Sequence, residues 1–244
     1  MRKGSEKMHL ATLMTNTDDS VFAQAHPKDG EKFAALIHSV RPGWQVTSFD
    51  VKDGVFPKDI NAFDGVMITG SPASVLDDAP WVARLLQVIR EAYAAETPLF
   101  GACYGHQAIA LALGGEIGPN PDGWVFGLTH STVTETAPWM EGLPRQFPQY
   151  GAHMEAVVRL PEGARVLSTS DACEITGFRI GDTVYTTQNH PEMTPQFIAA
   201  LVAEYQDKLP DGVGAAAVAS LTQDVDMAIY GETIARFFEG ASAD

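Results

Sequence analysis

Pro98-Leu99-Phe100-Gly101-Ala102-Cys103-Tyr104-Gly105-His106-Gln107 carries the chain from an apolar run into helical spacing through a cysteine set among small residues. A sharp strand-to-helix turn that lifts one side chain above a sheet strains the backbone and leaves no room for a neighbouring Cβ. Gly101, Ala102 and Gly105 supply that room. The stretch therefore reads as strand, elbow and helix, with the helix beginning near Tyr104. A sulfur at such a helix start faces unpaired amide N–H groups and the positive end of the helix dipole, and both favour a thiolate and any anion formed beside it.

On either side of this stretch, apolar runs suited to buried strands alternate with segments of helical spacing. That is the pattern of an α/β fold: a mostly parallel central sheet with helices on both faces. Strands are expected over 10–14, 44–51, 63–69 and 98–102. One helix is expected over about 28–40, where Phe33, Leu36, Ile37 and Val40 share a face before Arg41-Pro42-Gly43 stops it. Another is expected over about 80–95, where Val82, Leu85, Leu86, Ile89 and Tyr93 point inward. After Gly114-Gly115 the chain breaks into shorter β-like pieces over 123–133, 156–160, 165–168 and 175–185, most simply antiparallel additions to the sheet. Thr194 and Pro195 are suited to the N-cap and first position of a helix. Leu209-Pro210-Asp211-Gly212 then leads to one last helix, with Val218, Leu221, Val225, Ile229 and Phe237 on a packing stripe. The expected organisation is one domain over 8–200 and a C-terminal helical extension over 201–244 packed on it.

With 244 residues, 45% of them hydrophobic, the chain can bury a sizeable core but not a second full domain. Its formal net charge of −15 repels phosphate backbones and anionic lipid, which argues against nucleic acid as a partner. Two cysteines, Cys103 and Cys173, lie far apart without a C-x-x-C pattern or a secretory leader, so a cytoplasmic location is expected. No apolar stretch approaches the roughly 18 to 20 residues of a membrane span, so no membrane partner is expected.

A cysteine nucleophile needs a base to manage its proton, and the base needs a third group to fix its tautomer. Asn189-His190-Pro191-Glu192 offers both, because residues i and i+2 of an extended segment face the same side. Cys103, His190 and Glu192 are thus the candidate triad. His106, three residues past Cys103, is the rival base, but it is too local to approach the sulfur from the substrate side. The seven histidines form no metal-ligand spacing with cysteine or with each other, so no metal is expected; His9, His26, His38 and His130 read as surface or satisfied core residues.

These residues carry a resemblance to the class I, triad-type glutamine amidotransferases. Gly101-Ala102-Cys103-Tyr104-Gly105-His106-Gln107 resembles the family's G-x-C-x-G-x-Q, Gln188-Asn189-His190-Pro191-Glu192 resembles Q-x-H-P-E, and Thr69-Gly70-Ser71-Pro72 resembles its oxyanion loop. Order and rough spacing agree over about residues 10–200, and the likeness is to free-standing members without a fused synthase. The resemblance implies a flavodoxin-like amidotransferase fold, with Cys103 as nucleophile, His190 as general base and then acid, and Glu192 orienting His190. It further implies an oxyanion hole from the backbone N–H groups of Tyr104 and the Gly70–Ser71 loop, and Gln107 as a contact for bound glutamine. No cofactor is implied. His153-Met154-Glu155 sits where the family often has an H-x-D-like segment near the glutamine α-amino and carboxylate groups, with Glu155 one methylene longer than Asp. Asn189 replaces the usual bulky aromatic and is expected to alter the pocket. Trp124 and Tyr150 are candidates for its wall or for the core, and Cys173 reads as a bystander.

Three functions follow as expectations. The first is release of ammonia from L-glutamine through a cysteinyl thioester, for a separate synthase partner or as a stand-alone hydrolase. The second is hydrolysis of other γ-glutamyl amides, which shares the thioester and differs only in the leaving-group pocket. The third is a redox sensor in which the elbow cysteine is oxidised; the His-Pro-Glu segment argues against it, since sensing needs no imidazole poised to protonate a leaving amine. No Gly-rich ATP loop with Lys-Ser/Thr is present in this sequence.

Overall fold

Leu10 and Leu13 point to opposite sides of one strand and both are fully buried, so the strand that carries them is covered on two faces. The computed structural model describes residues 7–223 and 225–241. In chain order it contains β1 (His9–Met14), α1 (Val21–Gln24), α2 (Asp29–Val40), β2 (Gln45–Asp50), β3 (Gly65–Ile68), α3 (Pro80–Ala94), β4 (Leu99–Ala102), α4 (Tyr104–Ala112), β5 (Glu116–Pro119) and β6 (Val125–Val133). There follow β7 (Gln146–His153), β8 (Glu155–Arg159), β9 (Ala164–Ser170), β10 (Cys173–Ile180), β11 (Val184–Thr187), α5 (Pro195–Tyr205), α6 (Val213–Ser220) and α7 (Met227–Ala241). Among the described residues no helix is long and apolar enough to cross a membrane.

Nine strands form one sheet in the order β2-β1-β3-β4-β11-β10-β9-β6-β7, and β5 pairs with β8 in a small second sheet. The half from β2 to β11 is parallel and the half from β11 to β7 antiparallel, so all strands but β6 and β10 run in one direction. Helices cover both faces. Ala11, Leu13, Val66, Ile68 and Leu99 meet α3 and α4 through Leu85, Ile89, Ala108 and Ile109. On the other face, Leu10, Met67, Phe100 and Ala102 meet α2 and α7 through Phe33, Leu36, Ile234 and Phe238. A third cluster seats α5 and α6 against the β6–β7 end through Tyr150, Ile198, Val202 and Ala217.

Three segments differ from expectation. The piece over 175–185 is a hairpin: Gly181 takes a φ of +52° and turns the chain, so β10 runs antiparallel to β11 while β11 joins β4 in parallel. That turn is what brings the segment before His190 next to the elbow. The stretch over 146–153 is a strand although Pro148 and Gly151 obscure its alternation; β7 is the sheet edge, where proline's missing donor costs nothing. The last helix is two helices, α6 and α7, and the expected stripe is absent, because Val218 and Ile229 are about half exposed. The face of α7 that packs carries Tyr230, Ile234, Phe237 and Phe238. The ring of Phe238 occupies the space that a side chain at Gly65 would need, and Arg41 at the end of α2 bonds the carboxylates of both Glu232 and Glu239 in α7.

Candidate active site

Cys103 joins β4 to α4 with φ +51° and ψ −106°, one of two non-glycine residues in the left-handed half of the map among those described. Such a conformation costs about 1–3 kcal/mol and persists only where its surroundings over-determine it. Here the Cys103 N–H donates to the Thr187 carbonyl of β11 at 2.9 Å, and the Gly105 N–H donates to the Thr69 carbonyl beyond β3 at 3.1 Å. The small residues are needed for a steric reason. A Cβ on Gly101 would lie 2.5 Å from the Gly105 carbonyl carbon, and one on Gly105 would run into the carbonyl group of Ile68.

β11 ends at Thr187, and the backbone then crosses to β7, where the His190 N–H donates to the Tyr150 carbonyl at 2.8 Å. This fixes a ring that is only 6% exposed. Its Nδ1 lies 2.8 Å from Glu192 Oε1, which leaves Nε2 as the nitrogen available to a thiol. A Cβ placed on Gly70 would stand 2.6 Å from His190 Cε1 and 3.6 Å from Cys103 Cβ, so both side chains border the same empty point above that glycine. Burial by itself lowers the His190 pKa, but the charges of Glu192 and Cys103 and their hydrogen bonds outweigh it and hold the imidazole well above its ordinary value. Such an arrangement can keep a proton at His190 for delivery to a leaving group while the sulfur attacks.

Cys103 and His190 open onto a cavity of about 710 Å³ whose wall includes Gly70, Ser71, Gln107 and His153. The Thr15 hydroxyl lies 3.0 Å from the carbonyl oxygens of both Thr69 and Gly70, which fixes the loop that follows β3. The Tyr104 N–H belongs to the first turn of α4, where helix geometry supplies no intrahelical acceptor. The ring of Tyr104 stacks on Trp81 away from this point. Gln107 donates from Nε2 to the Glu155 carbonyl at 2.9 Å and to Gln188 Oε1 at 3.2 Å, an anchored side chain at the cavity wall. His153 Nδ1 lies 3.0 Å from that same Glu155 carbonyl, and burial pushes its pKa down to about 4. The Glu155 side chain also lines the cavity and accepts from the Ser74 hydroxyl at 2.8 and 3.0 Å.

Other candidates fall elsewhere. His106 is fully buried with Nδ1 2.8 Å from Thr186 Oγ1 and its ring against Phe178; burial drives its pKa down to about 3, so it stays neutral and outside the cavity wall. Cys173 is buried in β10 and does not line the cavity, and desolvation pushes its thiol up to about 11. Asn189 is not part of the cavity wall; its amide turns to Ser131 Oγ and Gln149 Oε1 between strands. Trp124 lines the cavity, whereas Tyr150 is core. His26, a half-buried residue, belongs to the cavity wall too, beside Phe197. Lys32, Phe22 and Phe197 complete that side and carry no sequence signal, because they come from helices remote from every motif. Among the described residues no three His, Cys, Asp or Glu side chains are grouped to hold a metal ion.

Known proteins share both the sequence pattern and the architecture. The model of the family described as glutamine amidotransferase class-I matches residues 31–200. The chain is 32% identical over 205 residues to gamma-glutamyl peptidase 3 of Arabidopsis thaliana, covering 81% of this chain and 82% of that protein. It is 32% identical over 120 residues to one component of the glutamine-hydrolyzing GMP synthase of Methanocaldococcus jannaschii, covering 49% of this chain and 63% of that component. The crystal structure of a glutamine amidotransferase from Thermotoga maritima superposes with a TM-score of 0.77 over 97% of this chain and 99% of that one, at 16% identity, a likeness of fold alone.

Proposed function

The chain belongs to the class-I glutamine amidotransferase family, and from that premise we propose that it is a cysteine-dependent hydrolase of γ-glutamyl amide bonds. The observation that carries the proposal is the shared border of Cys103 and His190 above Gly70, with Glu192 behind the imidazole, in the wall of an open cavity. In this mechanism the Cys103 thiolate attacks the γ-carbonyl carbon of the substrate. Negative charge that develops on the carbonyl oxygen is met by the N–H groups of Tyr104 and of the Gly70–Ser71 loop, each such donor worth about 3 kcal/mol of barrier. His190 gives its proton to the departing amine, and the C–N bond breaks to leave a glutamyl thioester on Cys103. Water activated by His190 then releases glutamate and restores the thiol. Gln107 and the His153–Glu155 segment hold the glutamyl end.

Cavity size supports a substrate larger than glutamine. About 710 Å³ lies in the range that encloses a drug-sized ligand, far more than an amino acid fills. The likeness to a gamma-glutamyl peptidase over four-fifths of both chains points the same way. Likeness to a GMP synthase component favours a second reading, in which the amine released is ammonia and a separate synthase partner consumes it in the cytoplasm. Purified protein incubated with glutamine and a panel of γ-glutamyl amides decides between them by the rates of glutamate and amine release. Cys103→Ala is expected to lose about a thousandfold or more; turnover at the wild-type rate by that variant excludes the proposed nucleophile.

A further inference from the structure

Gln107 and Lys32 sit on helices that cover opposite faces of the sheet, yet both line the one cavity that crosses its rim at Cys103. The Gln107 side serves the glutamyl end in the function proposed above, so the Lys32 side is where the leaving group lies. Lys32 is built in an unusual way for a helix-surface lysine. Its side chain is 9% exposed and that of its partner Asp29 is 7% exposed. Nζ donates to Asp29 Oδ1 at 2.9 Å and stands 3.5 Å from the centroid of the Phe197 ring. An ammonium has three N–H donors and no acceptor; among the described residues Asp29 takes one, and the ring face offers a second direction only a weak π contact.

Burying two ions costs several kcal/mol each unless further hydrogen bonds complete their shells. A lysine buried beside a cavity with a donor to spare leaves that completion to a ligand. Phe22, Phe126, Met193 and Leu201 make the surrounding wall largely apolar, which strengthens any charge pairing inside it. Several acidic side chains in the same wall are already engaged: Asp18 accepts from Tyr205 and from the Ser20 N–H, and Asp19 and Asp53 pair with Lys52.

Sheet order sets the reach. α2 follows β1, and β1 is two strand positions from β4. At about 4.8 Å per position this sets a sideways offset of about 10 Å between α2 and the elbow, to which the spacing between helix and sheet is added. An extended peptide advances about 3.5 Å per residue, so a leaving group of a few residues can run along the shared cavity toward Lys32. Building on the amide-hydrolase reading, we propose that Lys32 binds the terminal carboxylate of a short peptide on the leaving-group side, making a γ-glutamyl peptide acid the preferred substrate class.

The test compares γ-glutamyl-alanyl-glycine with its C-terminal carboxamide, two substrates that differ in one charge far from the scissile bond. Wild-type protein is expected to favour the acid by about tenfold or more in kcat/KM. In Lys32→Met that ratio falls to within about twofold, and in Lys32→Arg most of it survives, with circular dichroism verifying the fold of each. Equal kcat/KM for acid and amide in the wild type overturns the assignment of Lys32 while the hydrolase reading stands, and that comparison needs no variant to fold. A ratio undiminished in folded Lys32→Met overturns it as well. Failure to cleave either peptide or glutamine overturns both proposals together.

Discussion

At Cys103 a left-handed backbone, a helix start and a hydrogen bond to the neighbouring strand β11 converge on one residue, with a bond from Gly105 to Thr69 close by, and the strain is carried by the atoms around it. His190 depends just as closely on its neighbours, because burial opposes its charge and Glu192 heads the forces that restore it. Glu192→Gln removes that charge and lets the imidazole pKa fall. The alkaline limb of kcat/KM, which marks loss of the imidazolium proton, is then expected to move to lower pH, with a rate loss on the order of 10²–10⁴-fold. A pH profile measured with a γ-glutamyl amide checks this, and an unmoved limb removes Glu192 from the proposed role. Stability follows the same sign. Because the folded pKa of His190 is raised, its ion pair contributes fully below the ordinary imidazole value of 6.5 and fades as pH rises through the raised value. Cys103, His190 and Glu192 could be picked out as a candidate triad because each sits in a short local pattern. Lys32 and Phe197 could not, since a cation in a cavity is defined by what packs on it from a distant helix.

The elbow is an element whose tolerance is sub-ångström. Gly105→Ala presses a methyl group into the Ile68 carbonyl, and the mismatch is expected to destabilise the fold by about 1–3 kcal/mol and to displace α4, with its Tyr104 N–H. Urea titration together with amidase assays reads both effects. α5 is set by a different device: Thr194 caps it, accepting the Phe197 N–H at 3.1 Å, and Pro195 opens it. Thr194→Ala is expected to cost about 1 kcal/mol and to loosen the aromatic wall that Phe197 and Tyr205 form with Phe22. Elements built on strong periodicity, such as α2, α3 and β4, end within a residue or two of where the sequence places them. The β10–β11 hairpin and β7 did not announce themselves, because an ordinary Gly-Asp pair makes the turn and an edge position excuses Pro148. α6 and α7 read as one helix for a similar reason, their alanine-rich and apolar residues giving a continuous helical pattern across a break.

Over the whole molecule, two buried imidazoles stay neutral in an acidic protein, His106 in the core and His153 at the cavity wall. The pKa values of His106 and His153 are pushed to about 3 and about 4, chiefly by burial, from 6.5 in the unfolded chain. Depressed histidine values mean that the unfolded state takes up protons first, so the stability they contribute is complete above about pH 6.5 and drains away as pH falls toward 4. Urea midpoints measured across pH 8 to 4 should decline, and His106→Leu should flatten that decline; an equally steep fall in the variant shows that carboxylates alone govern it. The two-faced sheet and its parallel half were evident from the alternation of apolar runs, whereas the route of the chain across the sheet was not, since crossovers leave no trace in local pattern. One contact sets a sequence of events. The Phe238 ring fills the gap left at Gly65 beside the first strand, and Arg41 is clasped by the same late helix, so the layer over β1 and β3 stays open until α7 has left the ribosome. Nascent chains stalled before that point should expose apolar surface to chaperones, and the docking of α7 should time the closing of the core.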